Sequence, residues 1–237
     1  MSVLFAILTF FILGAGADSE ISDDSTRSER ILDDFEDDRP GDSPGKWRFL
    51  GRRDREFRPL DTIMDRDEKF FVVSERGNRF LRAYTDSQAQ RISLPAGRLE
   101  WKLAEYPILS WEWRALRLPT GAAENSVNDT GGAVYVSFSK TDWLGRPLSI
   151  KYTYSSTLPV DTVVSTGNVK IIVVSSGANG MGSWVHIERN VIDDYRRLFG
   201  GDPPNEPYTV TLWSDSDDTK TVAEVDFDNL TLHQVGK

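Results

Sequence analysis

From about Arg30 onward, apolar residues come in short runs that alternate with polar ones, and nearly every run ends at Pro, Gly, Asn or Asp, which is the patterning of an all-β domain. In residues 108–114, Leu109, Trp111 and Trp113 share one face and Ser110, Glu112 and Arg114 the other, which predicts a half-buried strand. Residues 133–139 repeat this with Val134, Val136 and Phe138 inward against Tyr135 and Ser137. Residues 148–154 do so with Ile150, Tyr152 and Tyr154 inward against Lys151 and Thr153. Residues 170–174 are apolar on both faces and predict a central strand, and 69–74, 80–85, 208–214 and 223–232 bring the count to eight or more. Helical spacing occurs over 190–199, where Val191, Tyr195 and Leu198 line up, Asn190 is placed to cap, and Gly200-Gly201 with Pro203-Pro204 terminate. The glycine-rich stretch 177–182 reads as a hairpin connection. The pattern predicts an all-β sandwich or barrel with one short helix near residues 190–199.

The amino terminus breaks this pattern. Residues 3–13 are apolar apart from Thr9, too short to cross a bilayer as a helix of roughly 20 residues. The following Gly14-Ala15-Gly16-Ala17 ends in the small-residue pattern of a cleavage site. Residues 1–17 are therefore expected to be a signal peptide, 18–29 a polar flexible spacer, and 30–237 a single domain, exported to the periplasm or beyond, with no membrane anchor after cleavage. The competing reading, an uncleaved anchor, draws on the absence of Lys and Arg before the apolar run. There is no Cys, so the fold rests on its core rather than on disulfides. A net charge of −9 argues against a nucleic-acid partner and leaves carboxylates available for a hard cation.

The two ends of the domain carry similar acidic strands, Ile31-Leu32-Asp33-Asp34-Phe35-Glu36-Asp37 and Val225-Asp226-Phe227-Asp228-Asn229-Leu230-Thr231-Leu232. In the second, Leu230 and Leu232 take up the parity of the aspartates, so a bulge is expected near Asp228-Asn229. The pairing resembles the first and last strands of carbohydrate-binding-module-like (galactose-binding-like) jelly rolls. That resemblance implies an antiparallel β-sandwich of jelly-roll type and a structural calcium ion held by Asp34, Glu36 and Asp228, with Asp33 and Asp226 as further positions, and calcium's taste for several oxygen ligands is compatible with strand ends. A solvated acidic edge that discourages strand pairing is the plainer reading. Over nearly all of the chain after residue 17 the sequence also resembles the DUF3047 family of exported bacterial proteins. The residues that carry this resemblance are the opening Leu-Asp-Asp-Phe-Glu, Tyr106-Pro107-Ile108-Leu109-Ser110-Trp111-Glu112-Trp113-Arg114 with Leu118-Pro119, Arg189-Asn190-Val191 through Asp194-Tyr195, Phe199-Gly200 with Pro203-Pro204, and Ser214-Asp215-Ser216-Asp217 with Thr219. It implies a fold and an exported location and transfers no activity.

Conventional catalytic signatures are missing: only His186 and His233, no Cys, no Gly-x-Ser-x-Gly, and a glycine-rich loop without the Lys-Ser/Thr of a phosphate loop. Asp215, Asp217 and Asp218 form a second acidic cluster, which reads as turn chemistry or as a loop cation site. The outward residues Glu112, Arg114, Tyr135, Lys151 and Trp213 would make a ligand site if they converged, with aromatic rings for the apolar faces of sugars and charged groups for hydroxyls. Three functions follow. The first is a non-catalytic exported module that binds a carbohydrate or envelope glycan. The second is a polysaccharide lyase or glycosidase working through Tyr135, Lys151, Arg114 and Glu112. The third is a structural envelope protein without a small ligand. Whether those five residues converge in an open cleft or spread over a flat or covered face bears most on the choice.

Overall fold

Strict alternation of large apolar and polar residues gives each strand one face that must be buried, and two such sheets bury their faces against each other. The computed structural model describes residues 28–51, 56–60 and 69–235, so the expected signal peptide and almost all of the spacer lie outside the described residues. In chain order the strands are β1 (Glu29–Asp33), β2 (Arg48–Leu50), β3 (Phe57–Pro59), β4 (Lys69–Glu75), β5 (Asn78–Asp86), β6 (Ala89–Pro95), β7 (Ile108–Arg117), β8 (Thr130–Thr141), β9 (Pro147–Ser155), β10 (Val163–Thr166), β11 (Val169–Ser176), β12 (Val185–Asn190), β13 (Pro207–Asp215) and β14 (Val222–His233). Among the described residues two helices accompany them, the single turn α1 (Ala96–Leu99) and α2 (Val191–Phe199).

The first sheet runs β12-β7-β14-β5-β4, with β1 also paired to β14, and the second runs β10-β11-β9-β8-β13-β6-β2-β3. The expected sandwich is present, with α2 at the expected helix. One pairing departs from the antiparallel rule: β11 lies parallel to β9, because β10 takes the outer place and the hairpin returns β11 between them. Residues 170–174 therefore sit one place from the sheet edge rather than at its centre. Residues 177–184 are not a hairpin connection. They carry the chain from β11 in the second sheet to β12 in the first.

The inward residues named by alternation form the core. Trp111 and Trp113 are sealed from solvent, and their rings lie 5.5 Å apart. Tyr152 packs on Trp111 and Tyr154 on Trp113, each at 5.5 Å across the two layers. Full burial of such a side chain stabilises by roughly 1.5–3 kcal/mol, so this cluster is a principal tie between the sheets. Gly132 on β8 leaves room for β14 side chains: a Cβ there would stand 2.9 Å from both Phe227 and Val225 side chains.

The expected bulge in β14 is present. Its register against β7 shifts between Asp228 and Thr231, and Asn229 takes a left-handed φ of 51°, so that Leu230 and Leu232 return to the core. Helix α2 is capped by Asn190, whose side chain accepts the backbone N–H of Asp193. It is pinned to the sandwich by Asp194, whose carboxylate accepts from Tyr152 Oη at 3.0 Å, from Arg189 at 2.6 and 2.9 Å, and from Arg197 at 3.0 Å.

Candidate functional site

The five outward residues do not converge. Glu112 and Arg114 stand on β7 in the first sheet, whereas Tyr135, Lys151 and Trp213 stand on β8, β9 and β13 in the second. Alternation places all five outside the core, but it cannot say which outside, and a sandwich has two. On the first sheet, Arg114 is consumed by structure. Its guanidinium lies 5.1 Å from the Phe80 ring and 4.9 Å from the Trp184 ring, and donates to Asp226 and Glu75 at 2.8 Å each. Glu112 accepts from the Asn229 side chain at 3.1 Å. The arrangement of Tyr135, Lys151 and Arg114 required for the lyase reading is therefore not assembled.

The outer face of the second sheet carries a groove of about 390 Å³. Strand register sets its lining side by side: Ser93, Thr211 and Tyr135 form one row across β6, β13 and β8, continued on β9 by the covered Lys151, and Arg91 and Trp213 stand in the next. Tyr135 and Trp213, both half-buried, present rings 5.6 Å apart and tilted by 38°. The Arg91 guanidinium lies 5.1 Å from the Trp213 ring. Hydroxyl pairs lay the floor, Ser93 with Thr211 at 2.7 Å and Ser137 with Ser149 at 2.8 Å. Such hydroxyls both donate and accept, and can exchange a mutual bond for one to a ligand hydroxyl.

Behind the aromatic pair the face is closed by the connection between β7 and β8. From it, Glu124 accepts from Thr153 at 2.9 Å and Ser155 at 2.6 Å, while Asp129 accepts the backbone N–H groups of Asp218 and Thr219. Lys151 is 1% exposed beneath this cover, with its ammonium 5.8 Å from the Tyr135 ring. Burial pulls the lysine below its ordinary pKa, while the nearby Glu124, Asp215 and Asp129 carboxylates pull it back up. Asp215 accepts from Trp213 Nε1 at 3.2 Å; burial, reinforced by Asp217, pushes its carboxyl up to about 7. Burial likewise drives the Tyr135 phenol above its ordinary value, the opposite of what a tyrosine base needs.

A family model for a protein family of unknown function, DUF3047, matches residues 57–231. The chain belongs to the DUF3047 family. No curated protein matches it. Among solved structures it is similar to the family 11 carbohydrate-binding module of the cellulosomal cellulase Lic26A-Cel5E of Clostridium thermocellum, at 12% identity and TM-score 0.42 over 86% of this chain and 94% of that one. It is also similar to the CBM22-1 xylan-binding domain of Paenibacillus barcinonensis Xyn10C, at 12% identity and TM-score 0.36 over 89% and 94%.

The motifs by which this DUF3047 chain was legible are largely structural. Trp111 and Trp113 are core, Arg189 and Asp194 anchor α2, and Ser110 Oγ shares a 2.6 Å hydrogen bond with His233 Nε2 while being only 2% exposed. The groove residues Ser137, Thr209 and Thr211 could have been read from alternation, since they share parity with Tyr135 and Trp213. Arg91 and Ser93 could not, because the apolar run in residues 89–95 was too short to read as a strand.

The acidic end strands pair as expected, β1 beside β14. Among the described residues, the three acidic side chains whose oxygens approach within 4.8 Å of one another are Asp129, Asp215 and Asp217, not Asp34, Glu36 and Asp228. The end-strand acids are engaged with the protein's own donors. Asp33 accepts from Lys46 and Trp47 Nε1, both at 2.8 Å; Asp34 accepts the Glu36 N–H; Glu36 accepts the Arg79 N–H. Asp228 accepts from the Asn78 side chain and from the Asn229 N–H, both at 2.8 Å.

Asp228 yields a pH prediction. Burial, with Glu112 and Glu36 nearby, pushes its carboxyl up to about 6. A carboxyl with a raised folded-state pKa favours the folded protein fully below about pH 4, and that contribution is lost as pH rises through about 6. Asp228→Asn should therefore gain on the order of 2 kcal/mol more relative to wild type at pH 8 than at pH 4. Urea unfolding at the two pH values checks this, and an equal effect at both would contradict it.

Proposed function

We propose that this protein is a non-catalytic binding module for a carbohydrate, held in the groove on the outer face of the second sheet. The observation that carries the reading is the tilted Tyr135–Trp213 pair set beside a floor of hydroxyls. The C–H faces of a pyranose stack on aromatic rings, and its hydroxyls exchange with protein hydroxyls and with Arg91, so one strip of surface meets both sides of a sugar's chemistry. The groove is elongated by strands β6, β13, β8 and β9, which suits several units of a chain rather than one sugar. A cell-envelope or extracellular glycan is the natural ligand if the amino-terminal segment directs export.

Affinity electrophoresis of the intact domain through gels containing mixed-linkage β-glucan, xylan or alginate tests the reading. Retardation by at least one neutral polysaccharide is expected. Unchanged mobility in all three would contradict it.

A further inference from the structure

The turn between β8 and β9 holds the largest exposed apolar side chain among the described residues. Trp143 is 89% exposed, and the neighbouring Leu144 is 53% exposed. A tryptophan is seldom left this open to water. The turn that carries it is nonetheless tightly braced. The Asp142 carboxylate accepts the backbone N–H groups of Leu144 and Arg146 at 2.9 Å each, and is paired with the Arg146 guanidinium at 2.6 Å. The backbone closes the same turn from Asp142 N–H to Arg146 carbonyl at 2.9 Å. An aromatic side chain held out on a rigid support loses little conformational freedom when something stacks on it.

The position of the turn identifies what that is. Arg146 and Pro147, at its end, line the groove, as does Asn168, whose side chain donates to the Pro147 carbonyl at 2.7 Å. The turn therefore borders the groove at its Arg146–Pro147 side, where a bound chain could extend beyond it. A lipid surface suits it poorly: Lys140, Thr141, Asp142, Gly145 and Arg146 surround two apolar residues, far short of the apolar face that interfacial anchoring needs.

We propose that Trp143 is an outlying stacking subsite for the same glycan, engaged only by chains long enough to extend beyond the groove. This rests on the carbohydrate-binding reading and adds to it a preference for longer chains. The test is titration calorimetry with tri- and hexasaccharides prepared from mixed-linkage β-glucan and from xylan. The intact protein should bind the hexasaccharide more tightly than the trisaccharide. Trp143→Ala should leave trisaccharide affinity unchanged and weaken hexasaccharide binding roughly 5- to 10-fold, with Trp143→Phe restoring most of it. Equal weakening at both lengths, or none at either, overturns the subsite while leaving the groove reading intact. Failure of the intact protein to bind either series removes the groove reading itself. A blue shift of tryptophan emission on adding phosphatidylcholine vesicles, absent in Trp143→Ala, would assign the tip to lipid and overturn the proposal.

Discussion

Replacing Asp226 by alanine is expected to destabilise the fold by about 3 kcal/mol, the lower end of the cost of removing one partner from a buried ion pair. The carboxylate is fully buried on the outer face of the first sheet. It accepts from Arg82 at 2.7 and 3.0 Å and from Arg114 at 2.8 and 3.0 Å. Without it, two guanidiniums remain against the Phe80 ring with only peripheral partners, Glu75 on Arg114 at 2.8 Å and Glu224 on Arg82 at 3.4 Å. Those partners soften the loss, which is why the lower end applies. Denaturant unfolding monitored by tryptophan fluorescence reads the effect directly. A change under about 1 kcal/mol would show that the network is a surface ornament rather than a brace.

The second large effect is on binding. Trp213→Ala should weaken glycan affinity by about 30-fold or more, the range of an aromatic residue at the centre of a contact surface. Trp213 is half-buried, stacked near Tyr135 and under Arg91, and held by its indole N–H on Asp215 at 3.2 Å. Its removal takes away ring area and leaves Arg91 without the face it covers. Because the side chain lies outside the core, the variant should remain folded, so the loss reads as recognition. Calorimetric titration alongside an unfolding curve separates the two, and a folded variant with undiminished affinity would count against the groove.

Much of the architecture was legible because inward positions are dictated by large apolar residues at a period of two. Leu109, Trp111 and Trp113, Val134, Val136 and Phe138, and Ile150, Tyr152 and Tyr154 all face the core, as alternation requires. The bulge at Asn229 followed from the parity change between Phe227 and Leu230. Outward residues carry no such label. Alternation assigned Glu112 and Arg114 to the same side of their strand as Tyr135 and Trp213 are to theirs, yet sheet membership, which depends on long-range pairing, sets them on opposite surfaces. The acidic ends hide their partners for a related reason. A carboxylate paired with Lys46, Arg82 or Arg114 looks in sequence like one awaiting a cation, and the partner lies 13, 144 or 112 residues away.

The central claim is tested most directly by mapping a glycan onto the folded domain by nuclear magnetic resonance. During titration with a polysaccharide that retards the protein, the largest shifts should fall on the Trp213 indole N–H and on the amides of Tyr135, Ser137 and Thr211. Arg114, Asp226 and Glu112, on the other sheet, should stay still. Shifts centred on the first sheet, or none on either, would contradict the assignment of the groove.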